Sequence, residues 1–327
     1  MNLFATVLTY PAPSANYRGE SEQNRTVIQK ITEGRFEYPV ISPEAMRNAL
    51  REILAAYGLP CNRSRLHDED QLAVKFEKYP YPERYIDDFF FGYLIAAGGK
   101  DRERIRGEVK KEDRSGEFRF KRDSVLRMNL AKALDPYRHV SLLTQSPKNV
   151  GSPWQNADDS ALLHRETAQT AFQYPFALNL NECRASFKKK SDSGEQEVNG
   201  LEFVLKAIGE LNGVAGNHAR SYFEMAPASI VIRLTESLVA GYNTYGFTRE
   251  GDFPEVIDGI LHVVKESDGK EKEGDYPGKE FYIGGKIVKD MSQEKLRMLE
   301  GKGVTLDRSP QRLITTVTRK TLSSKGA

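Results

Sequence analysis

Apolar positions fall into a few amphipathic blocks separated by long polar stretches. Leu3–Tyr10 (LFATVLTY) is rich in β-branched and aromatic residues and stops at Pro11, which predicts a buried strand. Pro11–Gln23 reads as a polar loop, and the pattern over Thr26–Thr32 fits a strand or a helix. The clearest period follows Ser42. Met46, Ala49, Leu50, Ile53, Leu54 and Tyr57 recur at helical spacing. Ser42 suits the N-cap, Pro43 suits the first helical position, and Gly58 with Pro60 ends the helix. Arg47 and Arg51 share one flank, one turn apart, while Glu44, Asn48 and Glu52 occupy the other.

Beyond Pro60 the pattern weakens. Cys61–Pro82 is irregular. Arg84–Ala97 predicts a helix bearing Tyr85, Phe89, Tyr93 and Leu94, closed by Gly98-Gly99. Lys100–Glu117 reads as a charged, turn-rich connection, and Phe118–Leu134 returns to ordered structure. Thr144–Thr170 has no strong period and carries Pro147, Asn149, Gly151, Pro153, Asn156 and the single tryptophan, Trp154. A loop of that length inside a domain is usually functional or disordered. Phe172–Leu180 predicts a strand and Ser186–Gly200 a hairpin tip. Leu201, Val204, Leu205, Ile208 and Leu211 mark a second amphipathic helix. Ser229–Leu234 (SIVIRL) and Leu313–Thr318 (LITTVT) predict strands, and Lys265–Lys279 a solvated charged insertion. The order is that of an α+β chain, compatible with a split βαβ (ferredoxin-like) core carrying large insertions.

Composition narrows the function classes. The chain has 327 residues, 29% of them charged, and a net charge of +2. Its longest apolar run, Phe89–Ala97, is far short of a membrane span. No secretory leader is visible, and Cys61 and Cys183 are too few for a disulfide framework. The expectation is a cytoplasmic protein with reduced thiols and no membrane partner. Near-balanced charge argues against coating DNA by electrostatics alone, but permits a narrow basic groove. Lys100–Arg122 holds ten basic and six acidic residues, and Gln311–Ala327 four basic and no acidic ones.

Candidate chemistry is sparse. The histidines at 67, 139, 164, 218 and 262 are scattered, with no metal-ligand spacing, so no metal or cofactor is expected. Asp87-Asp88 reads as the solvated side of its helix. Asp158-Asp159 lies in the long loop and offers an alternative, a metal for phosphodiester cleavage. His164-Arg165-Glu166 reads as a weak general acid/base site, as a phosphate contact from Arg165 oriented by Glu166, or as a plain surface ion pair. The nucleic-acid signals are better. Arg18 with Gly19 puts a guanidinium and exposed amides in one loop. Arg47 and Arg51 form a phosphate ladder or a solvated flank. Lys148, Trp154 and Gln155 combine a cation, a stacking ring and an amide; Trp154 could equally plug the core. Asn217, His218 and Arg220 follow Gly213 and Gly216 in another polar loop, or a plain helix C-cap loop.

Four stretches, in this order, resemble one family: the DevR-type backbone subunits of CRISPR Cascade surveillance complexes (the Cas-seven family of the RAMP superfamily). They are the first strand with Asn16-Tyr17-Arg18-Gly19-Glu20, the Pro39–Arg51 stretch (P-x-I-S-x-x-x-x-R-x-x-L-R), Arg122–Arg127, and the glycine-rich loop ending at Ala219-Arg220. The likeness spans residues 1 to about 235. It implies a modified RRM/ferredoxin-like palm (1–61 and 123–327), a helical fingers insertion (62–122) and an extended β-hairpin thumb (about 140–173). It implies a non-enzymatic subunit that binds CRISPR RNA, polymerises head-to-tail with other copies, meets other Cascade subunits, and presents the guide to a target DNA strand. RNA contacts carry over to Asn16, Arg18, Gly19, Ser42, Arg47, Arg51 and Arg127. The looser thumb and loop positions are Lys148, Trp154, Gln155, His164, Arg165, Asn217, His218 and Arg220. The alternative is an RNA-cleaving relative acting through Asp68, Asp70, Asp158 or His164.

Overall fold

Both faces of the first strand are covered, and that explains its unbroken apolar run. In the computed structural model, β1 (Asn2–Leu8) points Leu3, Ala5 and Val7 into one core and Leu8 into another. The structure describes the chain except residues 16, 23–24, 66–73, 113, 115–116, 146–161, 193, 215–222, 263, 266–270, 273–274 and 324–327. At 17–22, 25–26, 65, 144, 162–163, 264–265 and 271–272 it describes the backbone alone.

After β1 come β2 (Ala12–Ser14), β3 (Tyr17–Glu22), β4 (Arg25–Ile28), β5 (Lys30–Glu33) and β6 (Phe36–Ile41), then α1 (Pro43–Ala56). A mixed segment follows: β7 (Arg63–Arg65), β8 (Val74–Phe76), α2 (Ile86–Phe91), β9 (Tyr93–Leu94), α3 (Gly99–Val109) and β10 (Lys121–Arg122). Next are β11 (Leu126–Met128), β12 (Ala131–Ala133), β13 (Val140–Gln145), β14 (Leu162–Thr170) and β15 (Phe172–Asn179). The hairpin β16 (Ser186–Ser191) and β17 (Gly194–Asn199) leads into α4 (Gly200–Gly209) and β18 (Ser229–Thr235). The C-terminal part holds α5 (Pro254–Leu261), the short pair β19 (Val264–Lys265) and β20 (Glu271–Lys272), and β21 (Phe281–Gly285). It ends with α6 (Lys286–Asp290), α7 (Gln293–Gly301), β22 (Thr305–Asp307) and α8 (Pro310–Ser323).

The main sheet runs β22-β21-β18-β1-β15-β12-β6-β5, with β11 also on β15. Strand β1 is antiparallel to both β15 and β18, and β12 is antiparallel to β15. Helix α1 therefore lies between β1 and β12 in sequence, and α4 between β15 and β18. Helices α1, α4 and α8 bury one face of the sheet with Leu3, Tyr174, Phe176 and Ile232. Helices α5, α6 and α7 bury the other with Val231, Phe281 and Ile283.

The predicted α1 holds: Ser42 Oγ accepts the Ala45 amide at 3.2 Å, and Met46, Ala49, Leu50 and Leu54 face the core. Strands β1, β15 and β18, helix α4 and the β16–β17 hairpin also fall where the periodicity puts them. Other expectations are corrected. Pro11–Gln23 is not a loop but contributes β2 and β3, and Thr26–Thr32 resolves to strands. The helix predicted over Arg84–Ala97 is only α2: Gly92 turns the chain at φ +62°, and a Cβ there would lie 2.4 Å from the Arg122 carbonyl oxygen. Gly98 is then the N-cap of α3 rather than a terminator, so Lys100–Glu117 is largely helical. The expected loop Thr144–Thr170 ends in strand β14. LITTVT is helical within α8. Leu313, Ile314 and Val317 pack on the core, and Thr318 Oγ1 bonds the Ile314 carbonyl at 2.8 Å, so burial overrides strand propensity. Residues 62–122, expected to be helical, hold strands as well as helices, with β7–β8 and β9–β10 both antiparallel pairs.

Candidate nucleic-acid interface

A second sheet, β13-β14-β4-β3 with β2 beside β14, joins segments far apart in sequence. Strands β13 and β14 pair antiparallel from Val140↔Thr167 to Gln145↔Leu162. Strand β4 runs parallel to β14, with Arg25 opposite His164 and Thr26 opposite Arg165. Strand β3, which carries Arg18 and Gly19, lies on the far side of β4. The fold thus brings the backbone of the Arg18 segment and the His164-Arg165 segment into one sheet. Residues Val140, Leu142 and Leu143 on β13 stay exposed.

Glu166 does not serve the role expected beside Arg165. Successive strand side chains alternate, and Glu166 is buried, accepting the Ile28 amide at 3.2 Å. Lys30 Nζ lies 3.6 Å and His139 Nδ1 3.8 Å from its carboxylate. The Tyr137 ring stacks under Lys30, and its hydroxyl meets His139 Nδ1 at 3.0 Å. His164 is exposed and Arg165 half-buried.

The arginines of α1 form neither an open ladder nor a solvated flank. Arg47 is largely buried, 3.6 Å from Glu44. Arg51 is buried, hydrogen-bonds Asn48, and places Nε 3.4 Å from Asp87 Oδ2. Asp87 and Asp88 are both 0% exposed, which corrects their expected solvated position. The chain turning away from α1 needs acceptors there. Asp87 takes the amides of Asn62 at 2.7 Å and Arg63 at 3.1 Å, while Asp88 takes the Asn62 side chain at 2.8 Å and the Tyr81 amide at 2.9 Å. Burial, and then the neighbouring Asp87 charge, push the Asp88 carboxyl up to about 6. Burial, and then Arg63, bring Arg51 down to about 10. Burial also raises the Cys61 thiol, with Asp87 adding to it.

Arg127, on β11, is exposed and faces a cleft that also holds Arg114, Arg119, Lys121 and Arg122. Aromatic rings shape this wall. Arg114 lies between Tyr81 (4.9 Å) and Phe118 (5.5 Å), and Arg122 lies over Phe89 at 4.8 Å. Glu83, Glu117, Asp123 and Glu182 border the same cleft, so its charge is mixed. Of these cations only Arg127 is expected from the sequence to contact RNA. The basic surplus of Lys100–Arg122 was the available signal.

Ser42 is occupied as the α1 cap. Asn16, Lys148, Trp154, Gln155, Asn217, His218 and Arg220 lie outside the described residues, as do Asp68, Asp70 and Asp158. Among the described residues, no group of three His, Cys, Asp or Glu side chains could hold a metal ion, and no helix is long and apolar enough to cross a membrane.

No protein-family model matches the chain. A curated protein of Myxococcus xanthus (strain DK1622), "CRISPR-associated protein Cas7/Cst2/DevR", is 28% identical over 313 residues, covering 92% of each chain. The family resemblance read from the sequence therefore extends past residue 235 to nearly the whole chain. Among solved structures, a chain of a "CRISPR RNA-guided surveillance complex, pre-nicking" is similar with a TM-score of 0.55. The match covers 98% of this chain and 100% of that one at 10% identity, a likeness of fold.

Proposed function

We propose that this chain is a non-enzymatic, RNA-binding backbone subunit of a CRISPR surveillance complex. The observation that carries the reading is the similarity to the Cas7/Cst2/DevR protein over nearly the full length of both chains. The main sheet supports a ferredoxin-like palm, since β18-β1-β15-β12 is antiparallel throughout with α1 and α4 on one face. The β13–β14 pair is then the base of the thumb and the 62–122 insertion the fingers. Copies assemble head-to-tail along a CRISPR RNA in the cytoplasm, beside other subunits of the complex. The protein holds the guide backbone, and base pairing with a target DNA strand supplies specificity. Arg18, Arg47, Arg127, His164 and Arg165 contact the RNA from the palm and the thumb base, and the exposed apolar residues of β13 meet a neighbouring copy.

The full chain purified from its host should form large particles with a high 260/280 nm absorbance ratio. A triple variant, Arg18→Glu, Arg47→Glu and Arg165→Glu, leaves Arg51 and its buried partner intact. It should remain folded and lose the bound RNA. A folded triple variant with unchanged RNA content would overturn this reading.

A further inference from the structure

Arg63 has no place among the residues read from the sequence, yet it meets α1 at its most charged point. It opens β7, and its Nη2 donates to the carbonyls of Gly92 at 2.7 Å and Asp87 at 3.3 Å. Its Nε lies 3.5 Å from Asp87 Oδ2, the same oxygen that Arg51 Nε approaches to 3.4 Å. Neither Nε makes a hydrogen bond, and neither does the buried Nε of Arg47. One carboxylate oxygen thus faces two guanidiniums, with a third arginine a turn away. Burial, and after it the like charge of Arg63, lowers the proton affinity of both Arg47 and Arg51, with Glu44 opposing this at Arg47. Asp88 accepts hydrogen bonds from the Asn62 side chain and the Tyr81 amide rather than from a guanidinium. Glu44, the remaining partner of Arg47, is 72% exposed and screened by water. Arg51 and Arg63 border an open pocket of about 330 Å³, with Asn48 and Ser64 beside them and Glu52 at the rim.

Buried guanidinium N–H groups left without an acceptor suit a phosphate, whose oxygens accept from the planar fork. We propose that Arg63 completes, with Arg47 and Arg51, a three-guanidinium seat for one phosphodiester of the bound RNA, with Asp87 as the fixed counter-ion beneath it. The seat draws one cation from the insertion and two from α1, so the RNA backbone is held across that junction. This inference rests on the RNA-binding reading above.

The test is the affinity of the RNA-free full chain for a labelled single-stranded RNA at fixed salt. Arg63→Gln removes one of three guanidiniums from a single phosphate and should weaken binding about tenfold, the effect of one charge-assisted hydrogen bond. Arg63→Lys, which keeps the charge but not the planar fork, should lose less. A merely structural Arg63 would change stability without changing the affinity of the folded chain. If Arg63→Gln does not fold, phenylglyoxal modification of the wild-type chain, read by mass spectrometry, decides. Arg63 should be modified in the RNA-free chain and protected when the RNA is added. An unchanged affinity in folded Arg63→Gln, or equal modification with and without RNA, overturns the seat. If the triple variant at Arg18, Arg47 and Arg165 still sheds its RNA, only the seat falls. If that variant also keeps its RNA, the RNA-binding reading falls with it.

Discussion

Two buried carboxylates organise this molecule, and they do so in different surroundings. Asp87 sits fully buried where the segment after Pro60 meets α1. It takes two backbone amides and two guanidiniums whose side chains are 8% and 13% exposed. Glu166 sits at the base of the β13–β14 pair. It takes one amide and faces Lys30 and His139, whose side chains are 17% and 51% exposed. The difference is one of escape. Lys30 and His139 beside Glu166 can turn to water if the carboxylate is lost. The cations around Asp87 would stay buried without a counter-charge, and removing one partner of such a pair is the costly event.

The largest expected effect follows directly. Asp87→Ala should cost about 3–5 kcal/mol, measured by denaturant unfolding, because Arg51 and Arg63 lose their common partner. A loss below 1 kcal/mol would mean that the junction relaxes and admits water.

The next effect is a pH dependence at the same junction. Asp88 titrates higher in the folded chain, at about 6, than the ordinary value of 3.8. The folded state therefore binds its proton more readily, and the associated stability is complete below 3.8 and lost as pH rises through 6. The thermal midpoint should fall between pH 4 and pH 7 by more in the wild type than in Asp88→Asn. Equal profiles would remove Asp88 as the titrating group.

Smaller effects are expected at the base of the β13–β14 pair. Glu166→Ala leaves the buried Ile28 amide without its acceptor and should cost about 1–3 kcal/mol. His139→Ala removes a half-exposed partner at 3.8 Å and should cost less than about 1 kcal/mol. A larger loss at His139 than at Glu166 would reverse the contrast between the two sites.

The main core was legible where one segment carries its own instruction. The α1 stripe, its Ser42 cap and the doubly covered run of β1 express a local period, and each names its burial without reference to any other segment. The candidate interface was less legible, because charge on a helix flank has no sign of direction. Arg47 and Arg51 read alike as a ladder or a solvated face. Only the arrival of Asp87 from a segment 36 residues later turns Arg51 inward. Adjacent acidic residues look solvated in sequence, yet Asp87-Asp88 is needed inside because the Asn62, Arg63 and Tyr81 amides require acceptors there.

By itself, then, the sequence determined the α+β class, the strands β1, β15 and β18, helices α1 and α4, and the family likeness carried by the Pro39–Arg51 stretch. These depend on local periodicity, capping and motif spacing. The tertiary structure alone decided that LITTVT is helical, that the Arg18 strand joins the β14 sheet through β4, and that Arg63 faces Arg51 across Asp87. Those outcomes depend on which distant surface covers a segment, and burial free energy outweighs the few tenths of a kcal/mol of local preference that the sequence displays.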